Sequence, residues 1–139
     1  MSTHRKDRLE KIQEIITDLC EESAKGKLIV VEGKKDAQAL SELGVIGRVL
    51  TLKTSGKSTI EAINEIEALG NREIILLLDF DRRGIDGTKF LQRELEHLRI
   101  KVNTKVWVTL KAIVNRDIQC IESLPSYLVT AQQKATSGK

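Results

Sequence analysis

The sequence predicts an α/β fold: a Rossmann-like parallel four-stranded sheet with helices on both faces, an added N-terminal helix and short C-terminal helices. The first observation is four short apolar runs typical of strands buried on both faces, LIVV, RVLTL, EIILLL and KVWV. The second is the helical stretches that separate them, near residues 36–43, 58–69 and 84–98. Strands and helices that alternate in this way form a parallel sheet, for which we expect the strand order 2-1-3-4.

The chain begins with an amphipathic helix over residues 5–24. Its apolar side chains recur at helical spacing and form one stripe, made of Leu9, Ile12, Ile16, Leu19 and Cys20. Charged residues of both signs surround the stripe. We therefore expect residues 1–26 to pack on the domain as a helix with one solvated face.

The helix after the second strand has recognisable end signals. Ser58 is the expected N-cap, and Glu61 three residues later completes a capping box. Gly70 suits the end of the same helix. These signals support the boundaries of the predicted domain core, which we place at residues 27–110.

The C-terminal part is predicted to extend this core with helices. Residues 111–130 read as one or two short helices, with Ser123 as an N-cap and Pro125 in a first turn. Residues 131–139 are polar and are predicted to form a disordered tail.

Composition limits the possible classes of protein. The chain has 139 residues, 40% of them hydrophobic and 31% charged, which suits one globular domain. A net charge of +3 permits a nucleic-acid partner without requiring one. Two cysteines, Cys20 and Cys120, are too few for a disulfide framework or a zinc site and predict a reducing, cytoplasmic location. No apolar run is long enough for a membrane span, and the N-terminus lacks the apolar segment of a signal peptide.

The stretch LTLKTSGKST ends like a nucleotide-binding P-loop. A P-loop also needs a glycine five residues before Gly56, where a tight turn lets backbone amides surround the phosphates. That position is Thr51, inside a predicted strand. The sequence therefore argues against an ATPase.

Acidic residues follow two of the predicted strands directly. Glu32 follows LIVV, and Asp79 follows EIILLL with Asp81 two residues later. Ligands of open α/β sheets bind beyond the carboxyl ends of the strands, so these three carboxylates converge if the first and third strands are neighbours. Such a cluster requires protons or cations, and oxygen ligands favour Mg²⁺ or Mn²⁺. The ordinary alternative for each residue is a helix cap.

Basic residues accompany the acids. Lys34 and Lys35 come after Glu32, and Arg82 and Arg83 come after Asp81. Metal-binding acids surrounded by cations are the pattern expected for a phosphodiester substrate.

Two stretches together carry a family resemblance. VVEGKKDAQAL, followed later by LLLDFDRRGIDGTKFL, resembles the Toprim domain of primases, topoisomerases, OLD-family nucleases, recombination-repair proteins and the maturase of 5S ribosomal RNA. The family's glutamate and its Asp-x-Asp pair fall on Glu32 and on Asp79 and Asp81. The chain is most similar to the primase version and to small stand-alone Toprim proteins of archaea.

The resemblance implies a role for each site residue. Glu32, Asp79 and Asp81 are the implied catalytic and metal-binding residues, with Mg²⁺ or Mn²⁺ as cofactor and Glu32 as general acid/base or shared ligand. Lys34, Lys35, Arg82 and Arg83 are expected to contact the phosphates on either side of the reacting one. A short turn in primase-like domains corresponds to Thr54, Ser55, Gly56 and Lys57, which we interpret either as an anion site at a helix N-terminus or as a simple capped turn.

The chain also departs from the family pattern. Several Toprim families have a third acid where this chain has Arg83, and nearby Asp86 is equally suited to capping the next helix. A second metal ion is therefore in doubt. Topoisomerases also need a catalytic tyrosine, whereas Tyr127 lies outside the matched region and reads as a packed helix residue.

Two functions remain open. The first is a metal-dependent nuclease or phosphotransferase that acts on RNA or DNA. The second is a non-catalytic module that binds nucleic acid within an RNA-processing or replication assembly. The sequence leaves the oligomeric state and any protein partner open.

Overall fold

The computed structural model describes residues 2–53 and 58–137. The elements follow in the order α1 (Ser2–Ala24), β1 (Leu28–Val31), α2 (Lys34–Glu42), β2 (Val49–Thr51), α3 (Thr59–Ala68), β3 (Glu73–Leu76), α4 (Arg82–His97), β4 (Lys101–Asn103), α5 (Lys105–Val114), a 3₁₀ turn (Ile121–Ser123) and α6 (Leu124–Ser137). Among these described helices, none is both long and apolar enough to cross a membrane.

The four strands form one parallel sheet in the order β2-β1-β3-β4, which confirms the predicted topology. Val30, in the central strand β1, pairs with Leu50 of β2 on one side and with Leu76 of β3 on the other. Because β1 and β3 are neighbours and run in the same direction, the segments that leave their carboxyl ends lie side by side.

The sheet is covered by helices on both faces, as predicted. Ile29 and Val31 belong to a core packed by residues of α1, α2, α5 and α6. Leu28 and Val30, which alternate with them, belong to a second core packed by α3 and α4. Alternate side chains of a strand point to opposite faces, so a strand buried on both sides must be apolar throughout.

The N-terminal helix is held to the C-terminal helices by hydrogen bonds as well as by apolar contacts. The Arg8 guanidinium donates to the Ile113 carbonyl at 3.2 Å, to Asp117 Oδ2 at 3.3 Å and to Tyr127 Oη at 2.9 Å. Tyr127 is thus a structural helix residue, in line with the sequence interpretation.

The capping signals of α3 are confirmed. Ser58 is its N-cap, and the Ser58 hydroxyl accepts the Glu61 N–H at 3.1 Å while Glu61 Oε1 accepts the Ser58 N–H at 3.2 Å. Gly70 follows the helix with a φ of 75°, the left-handed conformation that glycine adopts readily.

The prediction for the fourth strand was wrong. The strand is Lys101–Asn103, and the run KVWV opens helix α5. Asn103 Oδ1 accepts the Lys105 N–H at 2.9 Å, and this local hydrogen bond ends the strand. Trp107, Leu110 and Val114 are the buried residues of α5, with a spacing that is helical rather than alternating.

The last described residues belong to a helix, where the sequence led us to expect a disordered tail. Helix α6 continues to Ser137, so the described part of the stretch 131–139 is helical rather than a disordered tail. Ala131 and Ala135 pack against the core of the α1 face, which explains why the helix continues through a mostly polar segment. Helix α5 also runs across the boundary predicted at residue 110.

Candidate functional site

The carboxyl ends of β1 and β3 bring Glu32 and Asp79 together. Pairing of the two strands continues beyond the regular ladder, since the Leu77 N–H donates to the Val30 carbonyl at 2.9 Å. Two residues later, the Asp79 N–H donates to Glu32 Oε2 at 3.0 Å. A direct hydrogen bond therefore joins Glu32 and Asp79, which the sequence predicted to lie close together.

Asp79 lies in an electrostatic environment that disfavours its negative charge. Burial, and then the charges of Glu32, Asp36 and Asp81, raise the pKa of Asp79 to about 6, although Lys53 opposes the shift. A proton or a bound cation relieves this repulsion. The arrangement of carboxylates thus has the electrostatic character of a cation site.

Asp81 caps a helix, which was the alternative to a metal-binding role in the sequence analysis. It is the N-cap of α4, and its Oδ1 accepts the Gly84 N–H at 2.8 Å. Its side chain is exposed. It contributes negative charge to the surroundings of Asp79, but it is not among the residues that line the pocket around Glu32 and Asp79.

Asp36 belongs to this site and was not among the predicted site residues. It is 6% exposed, its Oδ2 accepts the Gly33 N–H at 3.1 Å, and its Oδ1 accepts the Glu122 N–H at 2.9 Å. Burial raises the pKa of its carboxyl group. Asp36 therefore ties the loop after β1 to the 3₁₀ turn, a contact between residues far apart in the sequence.

Cys120 adds a thiol to the same group. One carboxylate oxygen each from Asp36 and Asp79 and the Cys120 sulfur lie within 4.8 Å of one another, a grouping able to hold a metal ion. Thiolates favour softer metals than carboxylates do, and both Asp36 oxygens already accept backbone N–H groups. Carboxylate oxygens suit Mg²⁺ or Mn²⁺ better than a thiolate does.

The predicted lysines line this pocket, together with a third lysine. The cavity has a volume of about 390 Å³, and Lys34, Lys35 and Lys53 are among its lining residues. Lys53 Nζ lies 3.2 Å from Glu32 Oε1. Lys53 was not among the predicted site residues, because in the sequence it directly precedes the segment that resembles a P-loop.

The remaining predicted phosphate contacts lie elsewhere or are not described. Arg82 and Arg83 are exposed in the first turn of α4, where Arg82 Nε lies 3.6 Å from Asp86 Oδ2. Among the described residues neither arginine lines the pocket. The predicted anion loop of Thr54, Ser55, Gly56 and Lys57 falls outside the described residues.

The raised pKa of Asp79 predicts how the stability of the metal-free protein depends on pH. The unfolded chain releases this proton near pH 3.8, whereas the folded protein holds it up to about pH 6. The folded state binds more protons between these values, so its free energy of unfolding falls as the pH rises through this window. Asp36 acts in the same direction, because burial raises its pKa.

Urea unfolding of the wild type and Asp79→Asn between about pH 4.5 and 6.5 will check this prediction. The wild type should lose stability with rising pH more steeply than the variant. Parallel curves would show that Asp79 does not carry the shifted proton.

Comparison with known proteins identifies the family. The model of the Toprim domain matches residues 27–120, a span that contains Glu32, Asp79 and Asp81 and also Asp36 and Cys120. The chain belongs to the Toprim family. The matched span runs ten residues beyond the predicted core, as far as the 3₁₀ turn that closes one side of the pocket.

The chain is similar to small archaeal proteins over most of its length. It is 41% identical to a UPF0292 protein of Methanocaldococcus jannaschii over 125 residues, 89% of this chain and 94% of the relative. A UPF0292 protein of Methanosarcina barkeri is 35% identical over 121 residues, 87% of this chain and 82% of the relative. A solved structure from Aquifex aeolicus matches 80% of this chain and 95% of its own, with 29% identity and a TM-score of 0.66.

Membership of the Toprim family indicates the general role of this site. Toprim domains bind divalent metal ions and have functions related to nucleic acids. In this chain Glu32 and Asp79 line one pocket together with three lysines, and this composition agrees with that general role.

Proposed function

We propose that this Toprim protein catalyses Mg²⁺- or Mn²⁺-dependent phosphodiester chemistry on RNA or DNA, as a nuclease or phosphotransferase. The observation that carries the proposal is the meeting of Glu32 and Asp79 in one pocket with three lysines. Carboxylates that need a cation, next to cations that suit phosphates, form the combination this chemistry requires.

We assign Glu32, Asp79 and Asp81 as the residues that hold the metal ion. When bound, Mg²⁺ or Mn²⁺ supplies positive charge that polarises the scissile phosphate and stabilises its developing negative charge. Glu32 lines the same pocket as Asp79, and in this proposal it either shares the metal ion or accepts and donates the proton as general acid/base. Lys34 and Lys35 hold the phosphates next to the reacting one.

A non-catalytic binding module is the second candidate, and one observation favours it. Asp81 caps α4 through Gly84, and Arg83 occupies the place where several Toprim families have a third acid. A site with fewer free carboxylates holds a metal ion less completely. Such a site is sufficient to bind nucleic acid without cleaving it.

Labelled RNA and DNA panels, incubated with and without Mg²⁺ or Mn²⁺, separate these functions. We expect cleavage that needs metal and is lost in Glu32→Gln and Asp79→Asn. Glu10→Gln, which removes an exposed carboxylate of α1, is the matched control and should cleave normally. Metal-dependent binding without products would favour the module, and the absence of both would exclude both functions.

The arginines at the start of α4 predict the salt dependence of nucleic-acid binding. Each phosphate contact contributes about 0.9 to the slope of log affinity against log salt on duplex, or about 0.7 on single strands. Replacing Arg82 and Arg83 with alanine should therefore flatten this slope by about one to two units. Binding should weaken equally for different sequences, because phosphate contacts carry no base information.

Titrations at several salt concentrations will measure the slopes. A double alanine variant of Lys11 and Lys25, two exposed lysines in and just after α1, is the control and should keep the wild-type slope. If the control loses as much affinity as the arginine variant, nucleic acid does not bind at this edge of the sheet.

A further inference from the structure

Lys53 has a hydrogen-bonded backbone and a largely exposed side chain at the edge of the candidate metal site. Parallel pairing of β1 and β2 extends past the strands, with the Leu52 N–H donating to the Val31 carbonyl at 3.0 Å and the Lys53 N–H to the Glu32 carbonyl at 2.8 Å. These hydrogen bonds hold the Lys53 backbone directly beside Glu32. Its side chain is 57% exposed, whereas that of Glu32 is 13% exposed. Lys53 thus extends from solvent toward a largely buried carboxylate.

The Lys53 ammonium occupies the position of a counter-ion. Glu32 Oε2 accepts the Asp79 N–H, and the other oxygen, Oε1, lies 3.2 Å from Lys53 Nζ. The ammonium therefore pairs with a carboxylate that we assign to the metal ion. A divalent cation and the Lys53 ammonium both need Glu32, so they compete for it.

Nucleic acid offers the displaced ammonium another partner. Lys53 lines the same pocket as Lys34, Lys35 and Asp79, where the proposed function places a phosphate. An ion pair whose ammonium is exposed to solvent is weak, and a flexible lysine exchanges one oxygen anion for another at little cost. The phosphate of a bound strand is such an anion.

We propose that Lys53 is an exchangeable counter-ion, which pairs with Glu32 in the metal-free protein and transfers to a nucleic-acid phosphate when a divalent cation binds. The inference rests on the proposed function and adds a regulatory property to it. A bound metal ion frees the Lys53 ammonium for a phosphate, and a bound phosphate draws Lys53 away and frees Glu32 for the metal ion. The binding of the two ligands is therefore positively coupled. By linkage, each raises the affinity for the other by the same factor.

Lys53→Met tests this inference because it predicts effects of opposite sign. Without nucleic acid, the variant should bind Mn²⁺ about two- to fivefold more tightly than the wild type, since the solvent-exposed Lys53 ammonium no longer competes for Glu32. The gain in oligonucleotide affinity that Mn²⁺ gives the wild type should shrink. A purely structural role for Lys53 would not tighten metal binding.

Two variants control for charge. Lys34→Met removes the same charge from the pocket lining but not from the pair with Glu32, so we expect it to change Mn²⁺ affinity less. Lys53→Arg keeps a cation beside Glu32 and should preserve the coupling. Mn²⁺ affinity is measured by calorimetry, and binding of short single-stranded RNA and DNA of one sequence by fluorescence anisotropy, with the same samples checked for cleavage.

The outcomes distinguish this inference from the proposed function. If the wild type binds Mn²⁺ and oligonucleotide but Lys53→Met binds Mn²⁺ no more tightly, the exchange is wrong and the proposed function stands. The same holds if Lys34→Met tightens Mn²⁺ binding equally, because the effect is then general electrostatics. A wild type that binds neither ligand overturns both.

Discussion

Replacing Asp79 with asparagine is expected to weaken Mn²⁺ binding by at least about tenfold while it stabilises the metal-free protein. Asparagine keeps the backbone N–H that donates to Glu32 Oε2, so the fold around the site should persist. The substitution removes a charge that burial and neighbouring carboxylates disfavour. Relief of this repulsion should raise the free energy of unfolding by about 0.5–2 kcal/mol at neutral pH.

Calorimetry with Mn²⁺ and thermal unfolding without it will measure the two effects. Asp81→Asn is an informative companion, because asparagine caps helices as well as aspartate does and so preserves the start of α4. A loss of Mn²⁺ affinity in that variant identifies Asp81 as a ligand as well as a cap. Asp86→Asn removes an exposed charge from the same helix and should change neither quantity. Unchanged Mn²⁺ affinity in Asp79→Asn would contradict the assignment of the site.

Replacing Gly84 with alanine is expected to cause the largest loss of stability. A Cβ atom at this position would lie 1.9 Å from the Asp79 carbonyl oxygen and 2.5 Å from its carbon. Because both atoms belong to the backbone, the segment that carries Asp79 must move. Overpacking of this kind should cost about 2–3 kcal/mol, and the displaced Asp79 should also weaken Mn²⁺ binding.

Gly87→Ala provides a matched control in the same helix. There a Cβ atom would lie 3.2 Å from Leu78 Cδ2, a side-chain atom that can shift. Alanine also favours a helix over glycine by about 1 kcal/mol, so the net change should be small. Urea unfolding of both variants measures the difference. Equal stability of the two would show that the close approach of α4 to the Asp79 backbone is not a constraint.

The strands and the helix cap could be predicted from the sequence, because they depend on residues that are close together along the chain. The runs LIVV and EIILLL are apolar because β1 and β3 are buried on both faces, and the strand order follows from the rules for parallel sheets. That order is enough to bring Glu32 next to Asp79. The capping box of Ser58 and Glu61 is equally local.

The features that the sequence did not predict depend on tertiary contacts. Asp36 reads as an ordinary first-turn residue of a helix, and only the fold brings the Glu122 N–H to it. Lys53 becomes a site residue only because β2 pairs with β1. The run KVWV has the β-branched and aromatic residues typical of a strand, but the Asn103 side chain and the burial of Trp107 select a helix.

Anomalous scattering from crystals soaked in Mn²⁺ is the most direct test of the central claim, that the carboxyl ends of β1 and β3 form a divalent-cation site. We predict one strong peak within about 2.5 Å of carboxylate oxygens of Glu32 and Asp79, with Lys53 Nζ moved away from Glu32. The same soak of Asp79→Asn crystals should give no peak there. A wild-type peak at Asp36 and Cys120 without Glu32, or no peak in the pocket at all, would contradict the assignment.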